Sequence, residues 1–346
     1  MNSKQFDIML KKFTGFRKSR ILHCMIVCFI VHFCFISLCS SHIIIPIMNK
    51  VSKDALKYLY RGFALSNKEE FSKAIKQYDS ALEIDPELTI AYINRGFAYE
   101  NNRFYEEALA DYNKAIELSP KIAESYSYRG KTYFSIGNLD NAMSDYNKAL
   151  ELDSNQKEAY EFRGYLLTYK GKFDDAIKDY SKLLELDPKS FGAYVNRGYT
   201  YNLKKEYDKA LSDYTKAIEL NPEYDKAYNS RGKTYYDKGQ YDDAIADFNK
   251  TIELNPGFVE AYNNRGNCYD KKEEYDKAIL NYKKAIEIDH KDIRAYFSLA
   301  IANDKAGYKE EALKAFKAFI ELSPSGYPKF IEHAKKRIES LENKSE

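Results

Sequence analysis

The sequence predicts an all-α solenoid of tandem helix–turn–helix units, and three periodic features predict it. Glycine recurs every 34 residues at Gly62, Gly96, Gly130, Gly164, Gly198, Gly232 and Gly266, with Ala300 in the eighth slot. A tyrosine stands four residues before each of these positions, from Tyr58 to Tyr296, and an alanine twelve residues after, from Ala74 to Ala312. Four residues past each alanine is an aromatic: Tyr78, Tyr112, Tyr146, Tyr180, Tyr214, Phe248, Tyr282 and Phe316. A period of this length marks a stacked-repeat architecture, in which no unit buries its apolar face without a neighbour.

Each slot has a physical reason. Glycine in a helix costs roughly 1 kcal/mol relative to alanine, so seven in phase need a compensating close approach of the unit's second helix. The small alanine is expected opposite. The aromatics are expected to fill the space between units, where burying each contributes on the order of 2 kcal/mol. Pro86, Pro120, Pro188, Pro222, Pro256 and Pro324 fall at unit boundaries, because proline cannot continue a helix but fits its first turn.

This pattern resembles the tetratricopeptide (TPR) repeat family slot by slot, over eight units without insertion: 55–88, 89–122, 123–156, 157–190, 191–224, 225–258, 259–292 and 293–326. The resemblance implies a right-handed superhelical solenoid that acts as a protein-interaction scaffold, without catalysis or cofactor. One departure is systematic. Where the family usually has Leu before the Gly, the first seven units have Arg, from Arg61 to Arg265, and only the last has Leu299. Sixteen residues later stand Gln77, Asp111, Asp145, Asp179, Asp213, Asp247, Asn281 and Ala315, so the last unit loses both partners together. An Arg–Asp pair between helices is expected, within a unit or across to the next.

The two ends differ from the array. Residues 327–342 read as a capping helix, with Phe330, Ala334, Ile338 and Leu341 on one stripe. Residues 1–20 are basic, 21–41 contain the uncharged run Ile21–Leu38, and 42–54 form a linker. The run is near the ~20 residues a bilayer needs. The favoured expectation is a transmembrane signal anchor with the repeats on the exoplasmic or periplasmic side. A cleaved or lipidated signal peptide, and a cytoplasmic protein starting at Met48, stay open.

Charge and cysteine restrict the partners. Residues 1–50 hold seven of the 54 basic side chains and one of the 52 acidic ones, leaving 47 against 51 in the body. A faintly acidic body excludes nucleic acid as the main partner, which needs a basic stripe. Cys24, Cys28, Cys34 and Cys39 fit no zinc spacing, and Cys268 stands alone in the body. Gly130-Lys131-Thr132 and Gly232-Lys233-Thr234 lack the earlier glycine of a phosphate loop, with Ser125 and Ala227 in that place. No catalytic constellation is present.

What remains is the inner surface, which in the family is lined by the first helix of each unit. Carried over by slot, it includes Phe63, Ile93 and Phe97 at the N-terminal end and Tyr165 and Tyr199 in the middle. It turns amide-rich at Asn229, Asn263, Asn264 and Asn267, with Asn94 and Asn196 nearby. Amides both donate and accept, which suits the backbone of an extended peptide. The slot where chaperone-binding relatives use a clamp lysine reads Leu59, Ile93, Ser127, Glu161, Val195, Asn229, Asn263 and Phe297, so that clamp is not expected. The expected partner is a protein or peptide segment, with the membrane met only through the N-terminus. The alternative is a structural protein that assembles with itself through the solenoid.

Overall fold

The structure is a computed structural model that describes residues 52–323 and 327–343. The N-terminal segment carrying the membrane-anchor and cysteine expectations lies outside the described residues. Among the described residues no helix is long and apolar enough to cross a membrane.

Seventeen helices make up the described residues, in two compact units that meet at Thr132. The first unit holds α1 (Lys53–Ser66), α2 (Phe71–Ile84), α3 (Thr89–Asn101), α4 (Tyr105–Leu118) and most of α5 (Ala123–Ser135). The second begins at Tyr133 and continues through α6 (Leu139–Leu152), α7 (Lys157–Tyr169), α8 (Phe173–Leu186), α9 (Phe191–Leu203), α10 (Tyr207–Leu220) and α11 (Asp225–Asp237). It ends with α12 (Tyr241–Leu254), α13 (Val259–Lys271), α14 (Tyr275–Ile288), α15 (Ile293–Ala306), α16 (Lys309–Leu322) and α17 (Pro328–Asn343). Odd-numbered helices up to α15 are the first helices of the repeats and even-numbered ones the second. Within each unit a helix packs on the next one in sequence, and first helices of successive repeats also touch, as α7 does α9.

The repeat glycines do what the spacing predicts, with a different partner. A Cβ built on Gly164 would lie 2.9 Å from Cε1 of Tyr180, and one on Gly62 would lie 2.4 Å from that atom of Tyr78. The group facing the glycine is therefore the aromatic ring of the same repeat's second helix, and not the alanine. The rings also fill the space between units, as expected: Tyr112 stacks on Tyr128 of the next repeat with centroids 6.2 Å apart, Phe248 clusters with Cys268, and Tyr282 with Leu299 and Ala300. Tyr78, Tyr112, Tyr180, Tyr214, Tyr282, Phe248 and Phe316 are almost fully buried. The alanine slot is fully buried as well, where any larger side chain would part the helices.

The turn between the two helices of a repeat holds one left-handed residue, always in the same slot. Gly137, Gly171, Gly239 and Gly307 take it at φ between 73° and 84°. Glu69, Arg103, Lys205 and Glu273 take it at φ between 59° and 63°, where a Cβ is unfavourable. The cap helix α17 buries Ala334 and Leu341 against the last repeat, and Arg337 forms a two-pronged bond to Asp304 at 2.5 and 2.8 Å.

Candidate functional site

The expected arginine pair is present and does more than join two helices. Arg163 on α7 donates twice to Asp179 of α8, both at 2.7 Å, and its third nitrogen reaches Asn147 of α6 at 2.8 Å. Arg95, Arg197 and Arg231 repeat this, paired with Asp111, Asp213 and Asp247 and reaching back to Asp79, Ser181 and Thr215. Arg265 has the neutral acceptors Asn281 and Asn249 instead. Each guanidinium also lies over the tyrosine three residues before it, at 5.5–5.9 Å. One side chain thus ties its own hairpin to the second helix of the preceding repeat. Burial raises the Asp111 and Asp247 carboxyls above the usual aspartate value even with the arginine against them.

Much of the remaining surface charge is paired in register. Lys170, Lys204, Lys238 and Lys272 reach back one repeat to Asp140, Asp174, Asp208 and Asp242. Near the ends of the second helices, Lys114–Glu117, Lys148–Glu151, Lys182–Glu185, Lys216–Glu219, Lys250–Glu253 and Lys284–Glu287 pair three residues apart. Arg and Lys are therefore largely structural here.

Residues expected on the binding face fall into two groups. In the first unit Ile93 is 4% exposed and belongs to the core. Phe63 is half-buried, and Phe97 is half-buried with edge contacts to Phe71 and Tyr128 and the Lys131 ammonium 5.7 Å from its centroid. Lys131 also bonds Glu100 at 3.1 Å, and burial raises the Glu100 carboxyl. Asn94 donates to the Ile90 carbonyl. The amide run of the second unit is also turned inward. Asn229 is buried and accepts from Asn264 at 3.3 Å, Asn263 is buried and donates to Asp292 at 2.5 Å, and Asn267 accepts from the Tyr282 hydroxyl. Asn196 is half-buried.

Tyr165 and Tyr199 are different: they are 54% and 48% exposed. One turn further on, the structure adds Tyr169, 68% exposed, and Leu203, 41% exposed, which the sequence reading did not single out. The signal that would have found them is the slot four residues past each inner aromatic. Phe134 at the end of α5 braces the first pair, with ring centroids 5.3 Å from Tyr165 and 5.7 Å from Tyr169, both edge-on. Such a face offers apolar contact area with hydroxyl tips at small entropic cost. Cys268 is fully buried and its thiol is pushed up to about 12 by burial, so it is a neutral core group. Among the described residues no three His, Cys, Asp or Glu side chains gather as a metal site.

Family profiles described as "Tetratricopeptide repeat" match residues 123–156, 192–224, 213–246, 259–292 and 293–325, and one described as "TPR repeat" matches 62–102, 105–137, 164–205 and 232–273. No curated protein shows significant sequence similarity to the chain. Among solved structures, the anaphase-promoting-complex hetero-tetramer Cut9-Hcn1 is similar at TM-score 0.60 and 17% identity, over 80% of this chain and 55% of that one. Yeast Tom70 follows at 0.55 and 21%, over 86% and 66%, and a tetratricopeptide repeat protein from Parabacteroides merdae at 0.55 and 22%, over 72% and 99%. At these identities the likeness is one of fold. With the 34-residue register, the glycine-on-aromatic hairpins and the profile matches in agreement, the chain belongs to the tetratricopeptide repeat family.

Proposed function

We propose that the chain is a protein-interaction scaffold that holds a segment of a partner protein against its first helices, by binding and without catalysis. The observation that carries this is the free side of α7 and α9, whose exposed residues are Tyr165, Tyr169, Tyr199 and Leu203. Large apolar side chains clustered on one exposed face mark an interaction surface, whereas apolar residues exposed singly, such as Ile84 or Leu280, do not. Aromatic anchors of this kind carry most of the energy of protein interfaces. The half-buried amides Asn264 and Asn267 of α13 are proposed to meet an extended backbone with the hydrogen-bonding capacity that Asn229 and Tyr282 leave over.

The experiment is site-specific photo-cross-linking in cells of the source organism. A photoreactive phenylalanine analogue at position 199 is expected to capture discrete partner polypeptides, and the same group at Ile84, an exposed site on a second helix, is not. Equal capture at both positions, or capture of the chain itself alone, overturns the reading. The N-terminal run is proposed to anchor this scaffold to a membrane with the repeats outside. A repeat body that protease cannot reach from the outside, in cells that retain the full chain, counts against that arrangement.

A further inference from the structure

Two observations on α7 and α9 together define the chemistry of what they hold. In α7 and α9 two slots, four residues apart, are left exposed by the packing. They are filled by Tyr165 and Tyr169 and by Tyr199 and Leu203, and no other residue of either helix is exposed. In α11, α13 and α15 the exposed residues are all charged: Lys226, Lys233, Asp237, Lys271, Arg294 and Lys305. Among the first helices, exposed large apolar side chains are therefore confined to two neighbouring repeats.

The second observation is charge. Between residues 174 and 219 every carboxylate has a cation within ion-pair distance, from Asp174 with Lys204 to Glu219 with Lys216. Three exposed lysines in and beside this stretch have no such partner among the described residues. Lys172 and Lys205 follow Tyr169 by three residues and Leu203 by two, in the turns that end α7 and α9. Both are exposed, and neither has an ion pair among the described residues, whereas Lys170 and Lys204 beside them are tied to Asp140 and Asp174. The third lysine, Lys189, is in the turn between α8 and α9, at the opposite ends of these helices. An apolar face edged on one side by two uncompensated ammonium groups is complementary to an apolar segment edged by carboxylates.

We propose that α7 and α9 take a partner segment with two large apolar anchors flanked by Asp or Glu, the anchors seated on Tyr165, Tyr169, Tyr199 and Leu203 and the carboxylates on Lys172 and Lys205. This rests on the interaction-face reading above and adds the partner's chemistry to it. The two lysines bias the direction in which the segment lies, because two stand at one edge of the face and only Lys189 at the other. They also accelerate encounter, an effect that falls as salt is raised.

The test is selection of short random peptides displayed on phage against the full chain, run in parallel against the variants Tyr165→Ser/Tyr199→Ser and Lys172→Glu/Lys205→Glu, each checked for unchanged helicity. The expected result is enrichment of peptides with two large apolar residues and acidic flanks. A synthetic peptide of that sequence should bind the tyrosine variant at least about tenfold more weakly. It should bind the lysine variant a few-fold more weakly, with the gap closing at high salt. The lysine variant should itself enrich basic flanks. Enriched peptides that are neutral, proline-rich or basic, yet still lost with the tyrosine variant, overturn the proposal while the interaction face stands. Peptides that bind the tyrosine variant equally well, or no enrichment at all, overturn both. A dimer dissolved by Tyr165→Ser/Tyr199→Ser overturns the proposal in favour of a second copy as the occupant.

Discussion

Asp179 shows how much one residue can carry in this array. Its carboxylate is 5% exposed and holds two of the three nitrogen contacts of Arg163, whose own side chain is about a quarter exposed. Asp179→Ala leaves that guanidinium desolvated without its anion and should cost about 3 kcal/mol, the lower end of the range for breaking a buried pair. Asp175→Ala, which removes an exposed partner of Lys178, should cost under about 0.5 kcal/mol in the same urea titration. Equal losses would show that the clamp is no more than a surface pair. At Arg103 the sign reverses. Its φ of 63° is unfavourable for a residue with a Cβ, and the same slot is glycine in four repeats. Arg103→Gly relieves that strain but loosens the unfolded chain, so a net gain of about 0.5 kcal/mol is expected by the same measurement.

At the scale of the element, α17 is the piece whose removal says most. It covers the last repeat with Ile331, Ala334, Ile338 and Leu341, and Phe330 meets Phe297 edge-on at 5.2 Å. Truncation before Tyr327 should weaken that repeat by about 2 kcal/mol for Leu341 alone. It should also speed amide hydrogen exchange in α15 and α16 and raise light scattering at high protein concentration. Unchanged exchange there would mean that the cap adds nothing to its neighbour. The cap also bears on self-assembly. The slot that gives Arg95 its acceptor Asp79 is filled in the last repeat by Lys317. Glu342 of α17 holds that lysine at 2.9 Å, and α17 itself covers the last repeat where a second copy would stack end to end, so the cap opposes polymerisation in repeat register.

Over the whole molecule the buried tyrosines set the alkaline limit. Burial pushes Tyr78 up to about 12 and raises Tyr112, Tyr180, Tyr214 and Tyr282 in the same direction, and Cys268 with them. A group whose proton is held more tightly in the folded state stabilises it below the unfolded value, near 10 for tyrosine. That contribution is lost as pH rises towards the folded value. All these groups act with the same sign. Stability should therefore fall steadily from about pH 10 upward, and the tyrosinate absorbance of the buried set should appear together with loss of helical circular dichroism. Complete tyrosine ionisation with helicity intact would contradict the burial of these rings.

The repeat was legible from residues alone because its causes are local and periodic. Glycine, alanine, aromatic and proline each recur at fixed spacing, so the helix order and the Arg–Asp pair could be read directly, whereas which ring the glycine faces could not. Residues such as Asn229, Asn263 and Ile93 show where that stops. Slot places a side chain on a helix face, but whether it meets solvent depends on what the next repeat sets against it, and here Asp292, Asn264 and the core claimed them. The arginines' backward reach to Asp79, Ser181 and Thr215 was hidden for the same reason, since it depends on how one hairpin lies on another. So was the free apolar side of α7 and α9: Tyr169 and Leu203 become a surface only once packing has buried everything else on their helices. Periodicity fixes which residues can touch along the chain, whereas exposure is a property of three-dimensional neighbours that no single segment contains.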